Sequence, residues 1–187
     1  MGETYRMSCS GFGGQGVMAL GKLIVYAGMD EGKEVSWVPS YGPEMRGGTA
    51  NCSVIVSDEP IASPIVSQNI SVNVVMNLPS FHKFVPETAK NGIVFVNSSI
   101  ISEKVEMPGV KAYYIPANDI ANELGNPRMI NIIMLGAILG VLPIVKAESI
   151  FASGGAFEHV FGVSKAKFIP GNKVAFEKGM ECAKAQM

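Results

Sequence analysis

The stretch Gly11-Phe12-Gly13-Gly14-Gln15-Gly16 decides the fold that this sequence predicts. It follows a strand-like run at residues 5–10 and precedes an apolar run at residues 17–29. Gly11, Gly13 and Gly16 have the Gly-x-Gly-x-x-Gly spacing that occurs where a strand meets the helix of a nucleotide-binding unit. Glycines there allow a sharp turn and close packing of helix on strand. The free N–H groups at the start of such a helix favour a negative charge.

Two interpretations of this turn remain open. Its candidate ligand residues, Gly11, Gly13, Gly14, Gln15 and Gly16, either bind a phosphate group or only set the angle between strand and helix. A dinucleotide-binding enzyme would carry an acid at the end of its second strand, to hold the ribose hydroxyls. That strand is predicted at residues 34–38, and residues 39–41 contain no acid. The missing acid counts against an ordinary NAD site and favours the geometric interpretation.

The rest of the chain predicts an α/β domain with a Rossmann-like, doubly wound sheet. Further strands are predicted at 50–57, 72–76, 93–96 and 112–115. No helix separates the second strand from the third, so an antiparallel element is predicted near these two strands of a mostly parallel sheet. Residues 1–187 are predicted to form one domain, since this length suits a single core.

Local signals add detail between these strands. Ser80 and Asn118 are predicted to cap helices, and Asn91-Gly92 is predicted to form a turn. Pro86 is predicted to kink its helix or divide it into two short pieces. These residue types favour helix ends and turns, because their side chains or rings compete with regular hydrogen bonding.

The most apolar stretch, residues 129–142, is predicted to be a buried helix. It is shorter than the roughly 20 residues that a membrane span requires. Gly136 and Gly140 lie on one face of this helix, and they would allow another backbone to approach closely. That approach implies tight packing on the sheet or on a partner.

A second feature is the segment Ser40-Tyr41-Gly42-Pro43-Glu44-Met45-Arg46-Gly47-Gly48, whose proline and glycines predict a shaped, non-helical loop. In one interpretation Glu44 pairs with Arg46 to brace the loop, and Tyr41 packs on it. In the other the loop is a recognition surface, because the planar guanidinium of arginine suits carboxylate or phosphate. The residues alone favour neither interpretation.

Composition excludes several classes of function. The net charge of −1 provides no basic stripe for nucleic acid. Charged residues are only 17% of the chain and hydrophobic residues 48%, against a usual charged share of roughly 25%. So few charges predict a surface that is largely covered by partner chains.

Catalytic and metal-binding patterns are missing from the sequence. Cys9, Cys52 and Cys182 are isolated, and Cys9 and Cys52 are predicted to be buried, inert thiols. Neither His82 nor His159 has a metal ligand at useful spacing. The chain has no nucleophile elbow and no phosphate-loop lysine. No secretory signal opens it. We therefore predict no catalytic residue, no metal ligand, no membrane span and a reducing, cytoplasmic location.

Three segments together resemble one protein family. The glycine turn and the 40–48 loop resemble the two signatures of the gamma subunit of 2-oxoacid:ferredoxin oxidoreductases. Asn131-Ile132-Ile133-Met134-Leu135-Gly136-Ala137 resembles that subunit's Asn-x-x-x-Leu-Gly-Ala segment. The resemblance extends over about residues 5–180, and the first two motifs in combination are specific.

The resemblance implies a Rossmann-like subunit of a complex that oxidatively decarboxylates a 2-oxoacid to its acyl-coenzyme A and passes electrons to ferredoxin. Such complexes use thiamine diphosphate, Mg²⁺, coenzyme A and iron–sulfur clusters, and the thiamine and clusters are held by other subunits. The implied partners are alpha, beta and ferredoxin-like delta subunits. In this setting the turn would hold a phosphate, for example of coenzyme A, or only shape the fold. The implied docking residues are Ser40, Tyr41, Glu44, Arg46 and Gly47.

Two other functions stay open on the sequence. One is a free-standing nucleotide-binding oxidoreductase, which the missing ribose acid and the missing catalytic set disfavour. The other is an assembly subunit without a ligand. Binding of coenzyme A to the isolated chain would count against the assembly role.

Overall fold

A six-stranded mixed sheet forms the centre of the fold. The structure, a computed structural model, describes residues 2–41 and 49–187. The strands are β1 (Thr4–Phe12), β2 (Glu34–Tyr41), β3 (Thr49–Ser57), β4 (Ile70–Val75), β5 (Thr88–Asn97) and β6 (Lys111–Ile115). Their order in the sheet is β2-β3-β1-β4-β5-β6.

The sheet is parallel on one side and antiparallel on the other. Strands β1, β4, β5 and β6 pair in parallel, whereas β3 runs antiparallel to both of its neighbours, β1 and β2. Residues 42–48, which connect β2 to β3, are too few for a crossover between parallel strands, and a short connection between neighbouring strands reverses the chain direction. The predicted antiparallel element is therefore confirmed, and it lies between β1 and β2.

Helices cover both faces of the sheet. They are α1 (Val17–Asp30), α2 (Leu78–Phe84), α3 (Ala117–Glu123), α4 (Ile130–Val141), α5 (Ala147–Phe151), α6 (Ala156–Phe161) and α7 (Ile169–Lys184), with 3₁₀ turns at Val85–Glu87, Pro127–Met129 and Val163–Phe168. The main core joins one face of the sheet to α1, α4, α6 and α7. A smaller core joins the other face to α2. This two-sided cover confirms the doubly wound class.

The alternation of side chains along the strands separates the two cores. In β4 the side chain of Val74 enters the main core, and that of its neighbour Val75 enters the smaller one. In β5 the side chain of Phe95 enters the main core, and that of Val94 enters the smaller one. Successive side chains of a strand point to opposite faces, so these strands are apolar throughout because both of their faces are buried.

Helices α4 and α7 approach so closely that their backbones touch. A Cβ atom on Gly136 would overlap the backbone oxygen of Phe176, and one on Gly179 would overlap that of Ile133. Gly140 lies against Met180 in the same way, at 2.8 Å from a built Cβ to Cγ. The predicted close approach of another backbone at Gly136 and Gly140 is confirmed, but the expected neighbour, the sheet or a partner, is wrong, because these glycines pack on α7 of the same chain.

Three local predictions are wrong. The cap of α2 is Asn77, whose Oδ1 accepts from the N–H of Ser80 at 2.8 Å. Asn118 lies inside the first turn of α3, where Pro116 takes the cap position. Asn91 and Gly92 lie within β5, at a shift of its register against β4, and Asn91 adopts φ 65°. The pair lies in an irregularity of β5, and the strand continues on both sides of it.

The interruption at Pro86 is confirmed. Helix α2 ends at Phe84, and a 3₁₀ turn with Pro86 in its first positions follows it directly. Proline cannot donate a backbone hydrogen bond, but it is tolerated at the start of a helical turn. The segment therefore consists of two short pieces.

Candidate functional site

The carboxyl ends of β1, β2, β4 and β5 share one edge of the sheet. Phe12, the last residue of β1, pairs with Thr49, and Tyr41, the last of β2, pairs with Ala50. The glycine turn and the two ends of the 40–48 loop therefore lie side by side. Ser40 is exposed at this edge. Glu44, Arg46 and Gly47 lie outside the described residues.

Asn77 and Asn97 also lie at this edge, one just after β4 and one at the end of β5. Both are fully buried. Asn97 donates through Nδ2 to Oδ1 of Asn118 at 2.8 Å, but Asn77 Nδ2 and Asn97 Oδ1 have no hydrogen-bond partner among the described residues. Asn77 and Asn97 therefore share this edge with the glycine turn.

Left-handed backbone shapes the glycine turn. Gly14 has φ 95° and Gly16, the residue that caps α1, has φ 77°. A side chain is strained in this region, so glycine is the residue that fits. Gly13 is exposed. At Gly11 a Cβ would lie 2.7 Å from Oε1 of Gln15, so that glycine allows Gln15 to fold back over the turn.

The Gln15 side chain closes the turn on the side of the sheet. Its Oε1 accepts from the N–H of Phe12 at 2.7 Å, and its Nε2 donates to the carbonyl oxygen of Met76 at 2.8 Å. These bonds connect the ends of β1 and β4, where the winding of the sheet reverses direction. Ligands of open α/β sheets bind in the crevice at that point. Gln15 fills this position, so its carboxamide is already engaged within the chain.

A cleft of about 640 Å³ opens on the other side of the turn. This volume is within the range of small-molecule sites. The cleft lies between the start of α1, the start of α4, helix α6 and the start of α7. Its lining residues are Gly14, Gly16, Ala19, Asn126, Arg128, Met129, Asn131, Ile132, Phe157, Phe161, Lys165, Phe168 and Asn172.

The lining combines positive charge with aromatic surface. Arg128 and Lys165 are exposed cations, and none of the described residues that line the cleft is acidic. Phe168 is 48% exposed, and the Lys165 ammonium lies 5.6 Å from its ring centroid. Such a combination suits a ligand that carries both an anionic group and a flat or apolar body.

Asn131 links the glycine turn to α4. Its side chain packs on Gly16, where a Cβ would lie 2.8 Å from Cγ and 2.9 Å from Nδ2. Only 6% of Asn131 is exposed, and within residues 2–41 and 49–187 its carboxamide makes no hydrogen bond. Asn131 also lines the cleft, so a small part of this side chain is accessible there.

Sequence reasoning found the turn but missed the opposite wall of the cleft. Arg128, Lys165 and Phe168 come from 3₁₀ turns far along the chain, with no motif to mark them. Asn131 interrupts the apolar stretch at residues 129–142 and belongs to the family-like segment, but neither pattern marks it as part of a cleft. The signal that was available is that Asn131 is a polar residue in the first turn of an otherwise apolar helix.

The free thiols of Cys9 and Cys52 face each other across β1 and β3. The two residues are register partners, and both are fully buried. The hydrogen bond with Cys52, together with burial, raises the pKa of Cys9. Burial agrees with the sequence prediction, although their predicted inertness stays a prediction.

Each of the two histidines contacts a neighbouring side chain. His82 Nε2 lies 3.3 Å from Glu103 Oε1 at the surface, and the ring of His159 stacks on Tyr26 at 5.2 Å. Within the described part of the chain, no group of three His, Cys, Asp or Glu residues could hold a metal ion. Among the same residues, no helix has both the length and the apolar character that crossing a bilayer demands.

Comparison with known proteins gives consistent matches over almost the whole chain. The profile of the family described as “Pyruvate ferredoxin/flavodoxin oxidoreductase” matches residues 6–182. The 2-oxoglutarate synthase subunit KorC of Methanocaldococcus jannaschii is 35% identical over 178 residues, which are 94% of this chain and 91% of that protein.

A second curated relative is longer than this chain. The ketoisovalerate oxidoreductase subunit VorA of Methanothermobacter thermautotrophicus is 36% identical over 179 residues, which are 96% of this chain but 36% of that protein. The chain thus spans about a third of the length of this relative. It corresponds to one part of VorA and to nearly all of KorC.

A solved structure has the same fold. The gamma subunit of the keto/oxoacid ferredoxin oxidoreductase of Geobacter sulfurreducens superposes with a TM-score of 0.80 at 26% identity, over 97% of this chain and 99% of that one. These matches confirm the family resemblance and the fold that the sequence motifs predict.

Proposed function

This chain belongs to the pyruvate ferredoxin/flavodoxin oxidoreductase family, and we propose that it is the gamma subunit of a 2-oxoacid:ferredoxin oxidoreductase. The complex would convert a 2-oxoacid to its acyl-coenzyme A and carbon dioxide, with electrons passed to ferredoxin. The match over residues 6–182 carries this proposal. Relatives and a superposable structure are named as subunits of such enzymes, on ketoisovalerate in one case and 2-oxoglutarate in another.

The redox cofactors fit partner subunits better than this chain. Cys9 and Cys52 lie inside the sheet and Cys182 lies on α7, so the described cysteines do not form the four-thiolate set that an iron–sulfur cluster requires. Thiamine diphosphate, Mg²⁺ and the clusters are therefore assigned to alpha, beta and delta subunits in a cytoplasmic complex. The isolated chain is expected to be inactive.

A phosphate group is the one cofactor part that the described residues fit. The first hydrogen bond of α1 runs from the N–H of Leu20 to the oxygen of Gly16 at 2.9 Å. The N–H groups before Leu20 have no carbonyl partner inside the helix and lie at its positive end. We therefore assign to this turn a phosphate of the complex's coenzyme A, bound by backbone N–H groups, while Gln15 keeps the turn closed.

The 40–48 loop is proposed as the surface that docks on the thiamine-carrying subunits. Its two ends adjoin the glycine turn at the sheet edge, and Ser40 is exposed there. Ser40, Tyr41, Glu44, Arg46 and Gly47 keep the docking role implied by the family signature. Arginine is well suited to a subunit interface, because its guanidinium forms bidentate bonds.

Affinity purification of the tagged chain from its native cells tests both parts of this function. We expect the thiamine-carrying and ferredoxin-like chains to co-purify, and Arg46→Ala to lower their yield at least several-fold. Arg6→Ala, at an exposed position of β1, is the matched control and should retain the partners. A chain that purifies alone would refute the subunit role, and full recovery of partners with Arg46→Ala would refute the docking role of the loop.

A further inference from the structure

Two free thiols meet inside the sheet, beneath α1. Cys9 and Cys52 are register partners on the antiparallel strands β1 and β3, both are free, and both side chains belong to the main core. Opposite residues of an antiparallel pair have Cα atoms roughly 4.5 to 5.5 Å apart, within the range of about 4.4 to 6.8 Å that a disulfide spans. The two sulfur atoms can therefore be joined without a change in the strand pairing.

The sulfur of Cys52 also packs on the first turns of α1. Its S–H donates to the carbonyl oxygen of Val17 at 3.5 Å. A Cβ on Gly21 would lie 2.7 Å from Cys52 Sγ, so this glycine gives the sulfur its space. A bond between Cys52 and Cys9 would remove the S–H donor and turn the sulfur toward β1. The state of the two thiols is thus coupled to the helix that follows the glycine turn.

The indole ring of Trp37 lies beside the pair at the edge of the sheet. Trp37 belongs to the edge strand β2, and its Nε1 lies 3.1 Å from the same Cβ position on Gly21 that meets the Cys52 sulfur. The indole is partly exposed, whereas both thiols are fully buried. Displacement of this one ring would open a way to Cys52 for a molecule as small as hydrogen peroxide.

We infer that Cys9 and Cys52 form a redox-active dithiol, which a hydroperoxide reaches beside Trp37 and oxidises to a disulfide, and which a small thiol reductant restores. In a reducing compartment such a pair is a dithiol at rest, and its disulfide is transient. The inference replaces the inertness that the sequence predicts for these thiols. It goes beyond the proposed function and does not depend on it.

The oxidation proceeds in two steps. The hydrogen bond from Cys9 lowers the pKa of Cys52 in spite of burial, so Cys52 supplies the attacking thiolate. Its sulfur attacks one peroxide oxygen and the O–O bond breaks. The hydroxide that leaves takes up the proton that Cys52 gave up, which yields water and a sulfenic acid. The sulfur of Cys9 then attacks that of Cys52, the S–O bond breaks, and the hydroxyl leaves with the Cys9 proton as a second water. The two thiols have then given two electrons and two hydrogens to one peroxide.

Intact-mass analysis of the full chain carrying Cys182→Ser, after exposure to hydrogen peroxide, tests the inference. The substitution removes the remaining thiol, which is partly exposed on α7. We expect the chain to lose two hydrogens and, once unfolded, to have neither Cys9 nor Cys52 open to alkylation, and dithiothreitol should restore both thiols. Two alkylatable cysteines after peroxide, or a Cys52 that keeps the added oxygen, would overturn the inference.

Cys9→Ala in the same background is the matched control. It leaves Cys52 without a second sulfur, so peroxide should add oxygen to Cys52 and form no disulfide. Trp37, the only tryptophan of the chain, reports on the difference, because a disulfide quenches a neighbouring indole. Its emission should fall with peroxide and recover with dithiothreitol in the chain that keeps Cys9. An equal and reversible fall with Cys9→Ala would contradict the inference.

Trp37→Ala tests the route to the thiols. It should speed the formation of the disulfide several-fold, because it removes the ring at the edge of the sheet. Val35→Ala shortens another partly buried side chain of β2 and should leave the rate nearly unchanged. Equal rates for these two variants would overturn the route beside Trp37. If no disulfide forms while partner chains still co-purify with the chain, the subunit role stands and only the redox pair is wrong.

Discussion

Glycine serves opposite purposes at the α4–α7 crossing and at the glycine turn. At the crossing, Gly136 and Gly179 have no side chain because the backbone of the other helix occupies that space. At the turn, a Cβ on Gly14 would meet no atom of the described residues within 4 Å, and the surface there opens onto the cleft. In the first region the glycines are required for the close packing of the two helices. In the second region the backbone itself is left accessible.

This difference shows how the chain separates stability from binding. The α4–α7 contact lies in the main core and depends on steric fit, so a single added methyl group disturbs it. The turn depends on left-handed backbone at Gly14 and Gly16 and on the two hydrogen bonds of Gln15. Substitutions in the two regions should therefore differ in the property that they impair, stability or binding, and also in the size of the effect.

The largest effect is expected at the crossing. Gly136→Ala should lower the free energy of unfolding by about 3 kcal/mol or more, because its Cβ overlaps the backbone of α7 and the helices must separate. Gly171→Ala is the control within α7, where a Cβ would lie 3.5 Å from Cε of Met129. There alanine should be neutral or slightly stabilising. Urea denaturation measures both, and equal stabilities would contradict the assigned contact.

A smaller loss is expected at the turn itself. Gly16→Ala should lower the unfolding free energy by about 3 kcal/mol at most, since it combines left-handed strain with displacement of Asn131. Gly32 has a similar φ, 73°, but no atom of the described residues lies within 4 Å of its Cβ position, so Gly32→Ala should cost about 1 kcal/mol. Removing the Asn131 side chain in the Gly16→Ala background should recover the difference in unfolding free energy between Gly16→Ala and Gly32→Ala. If stability is not recovered, the contact with Asn131 is not what makes Gly16→Ala more costly than Gly32→Ala.

The smallest effect is expected at Gln15. Gln15→Ala leaves the N–H of Phe12 and the oxygen of Met76 without their partners, and should cost about 2 kcal/mol. Gln15→Glu retains the acceptor for Phe12 but has no N–H for Met76, so its loss should be smaller. Gln68→Ala, at an exposed position, is the control. Thermal unfolding of the three variants checks the order, and a neutral Gln15→Ala would contradict the closure of the turn.

The regular part of the fold could be predicted because its signals are local. Alternation and apolar runs give the strands, and the missing helix before β3 gives the antiparallel element. The errors at Ser80, Asn118 and Asn91-Gly92 have a common physical origin. Each of these residue types suits caps and turns equally well at neighbouring positions, and tertiary contacts choose among those positions.

The site could be predicted only in part, because its two walls come from distant segments. The turn is marked by its glycine spacing, which can be read directly from the sequence. Arg128 precedes α4, and Lys165 and Phe168 precede α7, so these residues come together where two helices that pack through Gly136 and Gly179 begin. That packing depends on a three-dimensional fit that no spacing rule states.

The most direct test of the account is turnover by the complex with and without this chain. Purified alpha, beta and delta subunits would be supplied with 2-oxoacid, coenzyme A and oxidised ferredoxin, and the reduction of ferredoxin followed spectroscopically. The account predicts turnover only when this chain is added, and none from the chain alone. Full turnover in its absence, or ferredoxin reduction by the isolated chain, would contradict its role as a required gamma subunit.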